Sequence, residues 1–180
     1  FKLIIKAGLT LLFIINSNAQ NNYSIEFIGG DDYINIGRPI NLASTSNSGS
    51  FSVWFKSSQI VADASYFISN DTQATNPEFN FGLIDGNVIV NGGPSSVNGP
   101  EVISPVVYSD GNWHHAVAIK ESNCVTLYVD NIFIGQDCSA SGIMDTGDDY
   151  FIGDNRVQGL ADYIGLLDEI RIYDKALNST

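Results

Sequence analysis

Two histidines and two cysteines are the residues whose types suggest metal or nucleophile chemistry, and all four sit in one stretch: His114, His115, Cys124 and Cys138. Zinc binding, or catalysis of the Ser-His-Asp or Cys-His kind, needs such groups to converge on one point. In "WHHAVAIK" (113–120) a period of two puts Trp113, His115, Val117 and Ile119 on one face, with His114, Ala116, Ala118 and Lys120 on the other. Neighbouring strand residues diverge, so the pair cannot hold one ion together. The chain has only these two histidines, and no partner spacing supports a catalytic use of either. The expectation is a buried, hydrogen-bonded, neutral His115 on the apolar face and a surface His114 opposite.

The cysteines flank "VTLYVDNIFIGQD", two alternating segments about a turn at Asp130-Asn131. Folded back on that turn, Cys124 and Cys138 fall opposite one another or one position off. Opposite, they form a cross-strand disulfide; one position off, they are two free thiols on different faces. Closing a loop of this size stabilises by about 3 kcal/mol in the chain-entropy model.

Asp168 is the third chemically informative residue. In "YIGLLDEIRIY", Asp168, Ile170 and Ile172 share a face, and Leu167, Glu169, Arg171 and Tyr173 share the other. If the isoleucines are core, Asp168 points inward, and a buried lone carboxylate costs several kcal/mol unless it is compensated. Arg171 faces the wrong way and pairs instead with Glu169. The remaining partners are His115, or a calcium ion, which takes carboxylate and carbonyl oxygens together. "IGGDDYINIG" supplies such oxygens at Gly29, Asp31 and Asp32, beside two glycines that allow the chain to turn.

The elements that must position these groups are strands. Period-two alternation punctuated by Gly, Asn, Asp and Ser predicts them near 23–28, 32–36, 50–56, 65–69, 78–84, 87–90, 101–107, 113–120, 124–130, 132–137, 149–153 and 163–173. No stretch of residues 20–180 holds a helical apolar stripe for three turns. Strands this short and numerous predict an all-β, two-sheet antiparallel sandwich of the jelly-roll type.

The 180 residues begin with "FKLIIKAGLTLLFIINSNAQ", in which Lys2 and Lys6 precede an apolar run and small residues end at Ala19. This is the pattern of a secretory signal over 1–19, its apolar run too short for a membrane span of about 20 residues. One domain over 20–177 and a short tail over 178–180 follow. The net charge is −12, and about −14 once the signal is removed. Such a surface repels phosphate backbones and anionic membranes, so neither nucleic acid nor membrane insertion is expected.

Four blocks, in order, resemble the laminin G-like, concanavalin A-like lectin/glucanase jelly rolls of secreted bacterial surface proteins. They are "IEFIGGDDYINIG", "FSVWFK", "NWHHAVAIK" followed by "LYVDN", and "YIGLLDEIRIYDKAL". The resemblance implies two curved sheets and a structural calcium held by a closing-strand Asp and the opening turn. Carried over by position, that is Asp168 with Gly29, Asp31 and Asp32; Ile28 stands where many members have Asp or Asn.

The resemblance also reaches glycoside hydrolases, whose retaining members need two carboxyls about 5–5.5 Å apart. No alternating acidic triplet exists here, and Glu78, Glu101 and Glu121 stand alone. The expected function is a non-catalytic recognition or adhesion domain binding glycans. The alternative is a protein-binding or spacer domain of a larger, multidomain surface protein with an extracellular protein ligand. Sugar binding calls for an aromatic plane and polar hydrogen-bonding groups. Trp54, Tyr66 and Tyr108 supply planes, and Asn70, Asp71, Asn80, Asn155 and Arg156 lie in or beside predicted loops.

Overall fold

A computed structural model describes residues 23–30, 32–41, 47–70, 77–94, 99–138, 148–154 and 162–178. Twelve strands run through them: β1 (Ile25–Ile28), β2 (Ile34–Gly37), β3 (Ser48–Lys56), β4 (Ser65–Ser69), β5 (Pro77–Ile84), β6 (Asn87–Pro94), β7 (Glu101–Val107), β8 (His114–Glu121), β9 (Cys124–Val129), β10 (Ile132–Cys138), β11 (Tyr150–Ile152) and β12 (Ile164–Tyr173). They form two six-stranded sheets. Sheet A has the order β1-β12-β3-β8-β9-β10, and sheet B the order β2-β11-β4-β5-β6-β7. Every pairing is antiparallel.

Alternation explains the core. Phe51, Val53 and Phe55 of β3 point inward against Phe79, Phe81 and Leu83 of β5 and Phe67 of β4, all buried. Phe51 stacks on Phe79 at 4.4 Å and Phe55 lies 4.7 Å from Phe67, joining the sheets through aromatic contacts. At the rim, Glu101 N–H of β7 donates to the Asp137 carboxylate of β10 at 2.9 Å and ties the two sheet edges together.

The β9–β10 hairpin turns at Asp130-Asn131, both with positive φ, as a two-residue turn of this twist requires. An uninterrupted register from Val129↔Ile132 would bring Cys124 opposite Asp137. A bulge between Phe133 and Gly135 inserts one residue, so Cys138 falls opposite Cys124 and the disulfide forms. The bulge decides between the two alternatives left open by spacing.

Two face assignments are corrected. On β8 the inward residues are Ala116 and Ala118, both in the core, so His114 lies on the core side and His115 on the outer side. The larger Val117 and Ile119 had suggested the reverse. The phenylalanines of β3 and β5 already fill the space between the sheets and leave room only for alanine beside them. On β12, Leu167 is inward opposite Phe55, whereas Asp168 lies opposite the outward Trp54. An extra residue between Asp168 and Arg171, with Glu169 at φ 49°, then resets the alternation so that Ile172 again faces inward opposite Phe51. The inward aspartate was an error of parity across that bulge.

Residues after β12 return over sheet A. The Ser50 hydroxyl donates to the Lys175 carbonyl at 2.9 Å and accepts from Leu177 N–H at 3.0 Å. Ile119 and Thr126, outward in the same band as Ser50, are buried there.

Candidate functional site

A register line crosses all six strands of sheet B on the side away from the core: Asn35, Phe151, Ser69, Asn80, Asn91 and Glu101. It arises because Asn80 alternates with the inward Phe79 and Phe81, and Asn91 follows the inward Val90. Its middle is buried, with Ser69 at 0% and Asn80 at 3% exposure, while Asn35 and Glu101 at its ends are exposed. The Ser69 hydroxyl donates to the Asn80 carbonyl oxygen. Beside this line runs a second one, Tyr66, Gly82, Ile89 and Ile103. Gly82 is required there: a Cβ would come within 2.3 Å of the Ser65 carbonyl oxygen.

The ligand candidates separate accordingly. Tyr66 and Asn80 share the outer face of sheet B. Asn70, just after β4, accepts from Phe79 N–H of β5 at 2.7 Å. Trp54 is on the outer face of sheet A, on the opposite side of the molecule, with its ring 5.1 Å from His115. Tyr108 packs edge-on to His114 at 5.0 Å. Asp31, Asp71, Asn155 and Arg156 lie outside the described residues, as does the segment 1–19.

The metal candidates separate too. Asp32 accepts from Ile28 N–H at 3.2 Å, and Asp162, which sequence reasoning missed, accepts from Gly30 N–H at 2.7 Å. These two carboxylates hold the opening turn, in which Gly29 and Gly30 take positive φ. Asp168 is not brought to them. Ile28 pairs with Ile164, so Asp168 sits four positions down the strand, its carboxylate accepting from Glu169 N–H at 2.7 Å. The set of Asp168 plus the opening turn therefore does not assemble. No group of three or more His, Cys, Asp or Glu side chains gathers as metal ligands among the described residues.

The histidines act structurally and in opposite senses. His114 Nδ1 lies 2.7 Å from Asp130 and Nε2 lies 3.0 Å from Asp110. Both acceptors are carboxylates, so the ring is fully hydrogen-bonded only as imidazolium. Burial opposes that charge, but the bonds to Asp130 and Asp110 outweigh it and raise the pKa above 6.5. Asp110, at the surface, is held down at about 2 by its bonds from Asn112 and then His114. His115 Nε2 meets the Ser52 hydroxyl at 2.8 Å, and burial lowers its pKa, keeping it neutral. Neither histidine reaches Asp168. Asp130, whose other oxygen accepts from His115 N–H at 2.9 Å, is the organising residue; its signal in the sequence was its place in the hairpin turn.

Two packed antiparallel sheets with a polar line on one outer face define a lectin-like jelly roll. The chain belongs to the concanavalin A-like lectin/glucanases superfamily, whose Laminin_G_3 model matches residues 28–180. It is similar to the Ruminococcus gnavus IT-sialidase CBM40 (TM-score 0.66, 16% identity, covering 86% of this chain and 91% of that one), which also has a structure bound to α2,3 sialyllactose. It resembles the LG1-3 region of the laminin α2 chain (TM-score 0.64, 18% identity, 86% and 32% covered). It is also similar to domain 4 of AbnA, a GH43 extracellular arabinanase from Geobacillus stearothermophilus in complex with arabinotriose (TM-score 0.58, 20% identity, 77% and 66% covered). At these identities the likeness speaks for the fold. No curated protein matches the chain. Family and fold together support a binding domain.

Proposed function

We propose that the domain is a secreted, non-catalytic recognition module that binds carbohydrate on the outer face of sheet B. The observation that carries this is the register line of Asn35, Phe151, Ser69, Asn80, Asn91 and Glu101 across the six strands: its exposed Asn35 and Glu101 and half-buried Asn91 offer the amide and carboxylate groups that read sugar hydroxyls, while the buried Ser69–Asn80 pair orders its middle. Glu101 is the one carboxylate in that line, and a retaining hydrolase needs a pair about 5–5.5 Å apart. The sialyllactose- and arabinotriose-bound neighbours support the ligand class, and the Cys124–Cys138 disulfide supports an oxidising, extracellular setting.

Calcium belongs to this reading through the opening turn rather than Asp168. Asp32 and Asp162 offer hard oxygen donors at the turn that contains Gly29 and Gly30. Calcium is expected to raise the melting temperature of the wild type and of Asp168→Asn, and not of Asp162→Asn. An unchanged wild-type melting curve in chelator removes the ion from the proposal.

The function is tested by titrating neutral and sialylated oligosaccharides into the protein by calorimetry. Asn91→Ala and Glu101→Gln, chosen because these residues are not fully buried, are expected to weaken binding about tenfold each without shifting the melting temperature. No binding to any oligosaccharide, with or without calcium, overturns the carbohydrate reading in favour of a protein-binding or spacer domain.

A further inference from the structure

The outer face of sheet A has two halves. The half near Ser50 is covered by the returning residues 174–178, and its Ile119 and Thr126 are buried. The other half is open. Trp54 is 42% exposed, with Asp168 beside it on β12 and His115 beside it on β8. One register line further on, Arg171, Ser52, Val117, Tyr128 and Phe133 follow one another across five strands, Phe133 being 56% exposed and 5.5 Å from the Tyr128 ring.

We propose that this open half is a second binding surface, distinct from the one on sheet B, on which an extended neutral polysaccharide chain lies across the strands. It rests on the carbohydrate reading of the domain but not on the sheet B site. Trp54 and Tyr128 stand two strands and one register line apart, about 12 Å at the usual strand and residue spacings, with Phe133 one strand beyond. The aromatic groups thus form a row across the sheet rather than a cluster. The strand between them carries His115, whose ring lies against Trp54, and Val117, so the rings lie along a sheet face rather than around a pocket, which suits a chain that continues in both directions. Sugar rings present C–H groups to aromatic faces, and Asp168, His115 and Arg171 flank the row with donors and acceptors for hydroxyls.

Charge selects the occupant. Asp168, Glu169 and Asp130 border the row against Arg171, on a chain of net charge −12, which disfavours an anionic polymer. The same acids would oppose one another across an interface between two copies of this chain.

The test is a depletion isotherm of the disulfide-intact protein on insoluble cellulose, chitin and xylan, with oligosaccharide calorimetry and sedimentation in parallel. Adsorption of the wild type to at least one polymer is expected. Trp54→Ala should weaken it at least tenfold and Phe133→Ala severalfold, with circular dichroism and melting temperature unchanged and Trp54→Phe retaining most of it. Oligosaccharide binding at the sheet B line should survive Trp54→Ala, so loss of one site is distinguishable from loss of the other. The proposal is overturned if a folded Trp54→Ala, Phe133→Ala double variant adsorbs like the wild type, or if no polymer retains the protein. It is overturned equally if the wild type sediments as a dimer that Phe133→Ala dissociates.

Discussion

On sheet B, Ser69 and Asn80 point away from the core and are nevertheless buried; on sheet A, Trp54 and Phe133 point away from the core and remain in water. Composition alone would have assigned these surfaces the other way round. A polar side chain is kept in a buried place only when its hydrogen bonds are met, as Ser69 and Asn80 meet part of theirs with each other. Trp54 and Phe133 each pack one side of the ring on a cross-strand neighbour, His115 and Tyr128, and leave the other side to water. Sheet B therefore encodes order in its polar line, whereas sheet A is held by other means: the returning tail at Ser50 and the covalent link between β9 and β10.

That difference predicts where stability resides. The largest effect is expected from the staple on sheet A. Cys124→Ser with Cys138→Ser opens a loop of 14 residues separation and should cost about 3 kcal/mol, read as a lower denaturant midpoint at unchanged slope. A loss under about 1 kcal/mol would mean that the bulged hairpin holds its register without the bond.

A smaller effect separates the two faces directly. Asn80→Ala removes the buried hydrogen bond from the Ser69 hydroxyl and should cost about 1–3 kcal/mol. Trp54→Ala, at a half-open position, should stay within about 0.5 kcal/mol of wild type. Equal losses at the two positions would show that Trp54 is packed as part of the fold, which would also remove the reason for assigning it a ligand.

How far these features were legible follows from how local their causes are. Alternation and turn residues marked all twelve strands, because period two and Gly or Asn punctuation are properties of neighbouring residues. The face of β3 was legible for the same reason. The face of β8 was not, because the choice between Ala116 and Val117 is made by phenylalanines on other strands. Asp168 failed at Glu169, whose positive φ bends the strand by one position without any glycine to announce it. Asp162 lies 132 residues from the amide it binds, a distance at which only tertiary contact carries information. The cysteine pairing lay between the two cases: composition brought the sulfurs within one residue, and the bulge at Ile134 supplied the rest.

The smallest predicted effect distinguishes the faces at two adjacent residues. His114 has its pKa raised in the folded state, so its contribution is complete below the unfolded value of about 6.5 and is lost as pH rises through the folded pKa. His115 has its pKa lowered by burial, so its contribution is complete above about 6.5 and is lost as pH falls through and below that value. In the wild type the two slopes oppose one another. His114→Gln, which breaks the bonds to Asp130 and Asp110, should cost on the order of 1 kcal/mol below about pH 6.5 and less as pH rises above it, leaving a protein whose stability rises with pH on approach to that value from below. His115→Gln should leave the reverse slope, stability falling as pH rises above about 6.5. The groups facing His114 are Asp110 from the loop before β8, Asp130 from the β9–β10 turn and Tyr108 after β7, the last with a pKa raised by burial and by Asp130. Tyr108 is thus neutral throughout this range, and the imidazole is the group that titrates against the two carboxylates above pH 6. Parallel slopes in the two variants would mean that the outer and inner positions feel the same field, contrary to the opposite sides of the sheet on which the backbone places them.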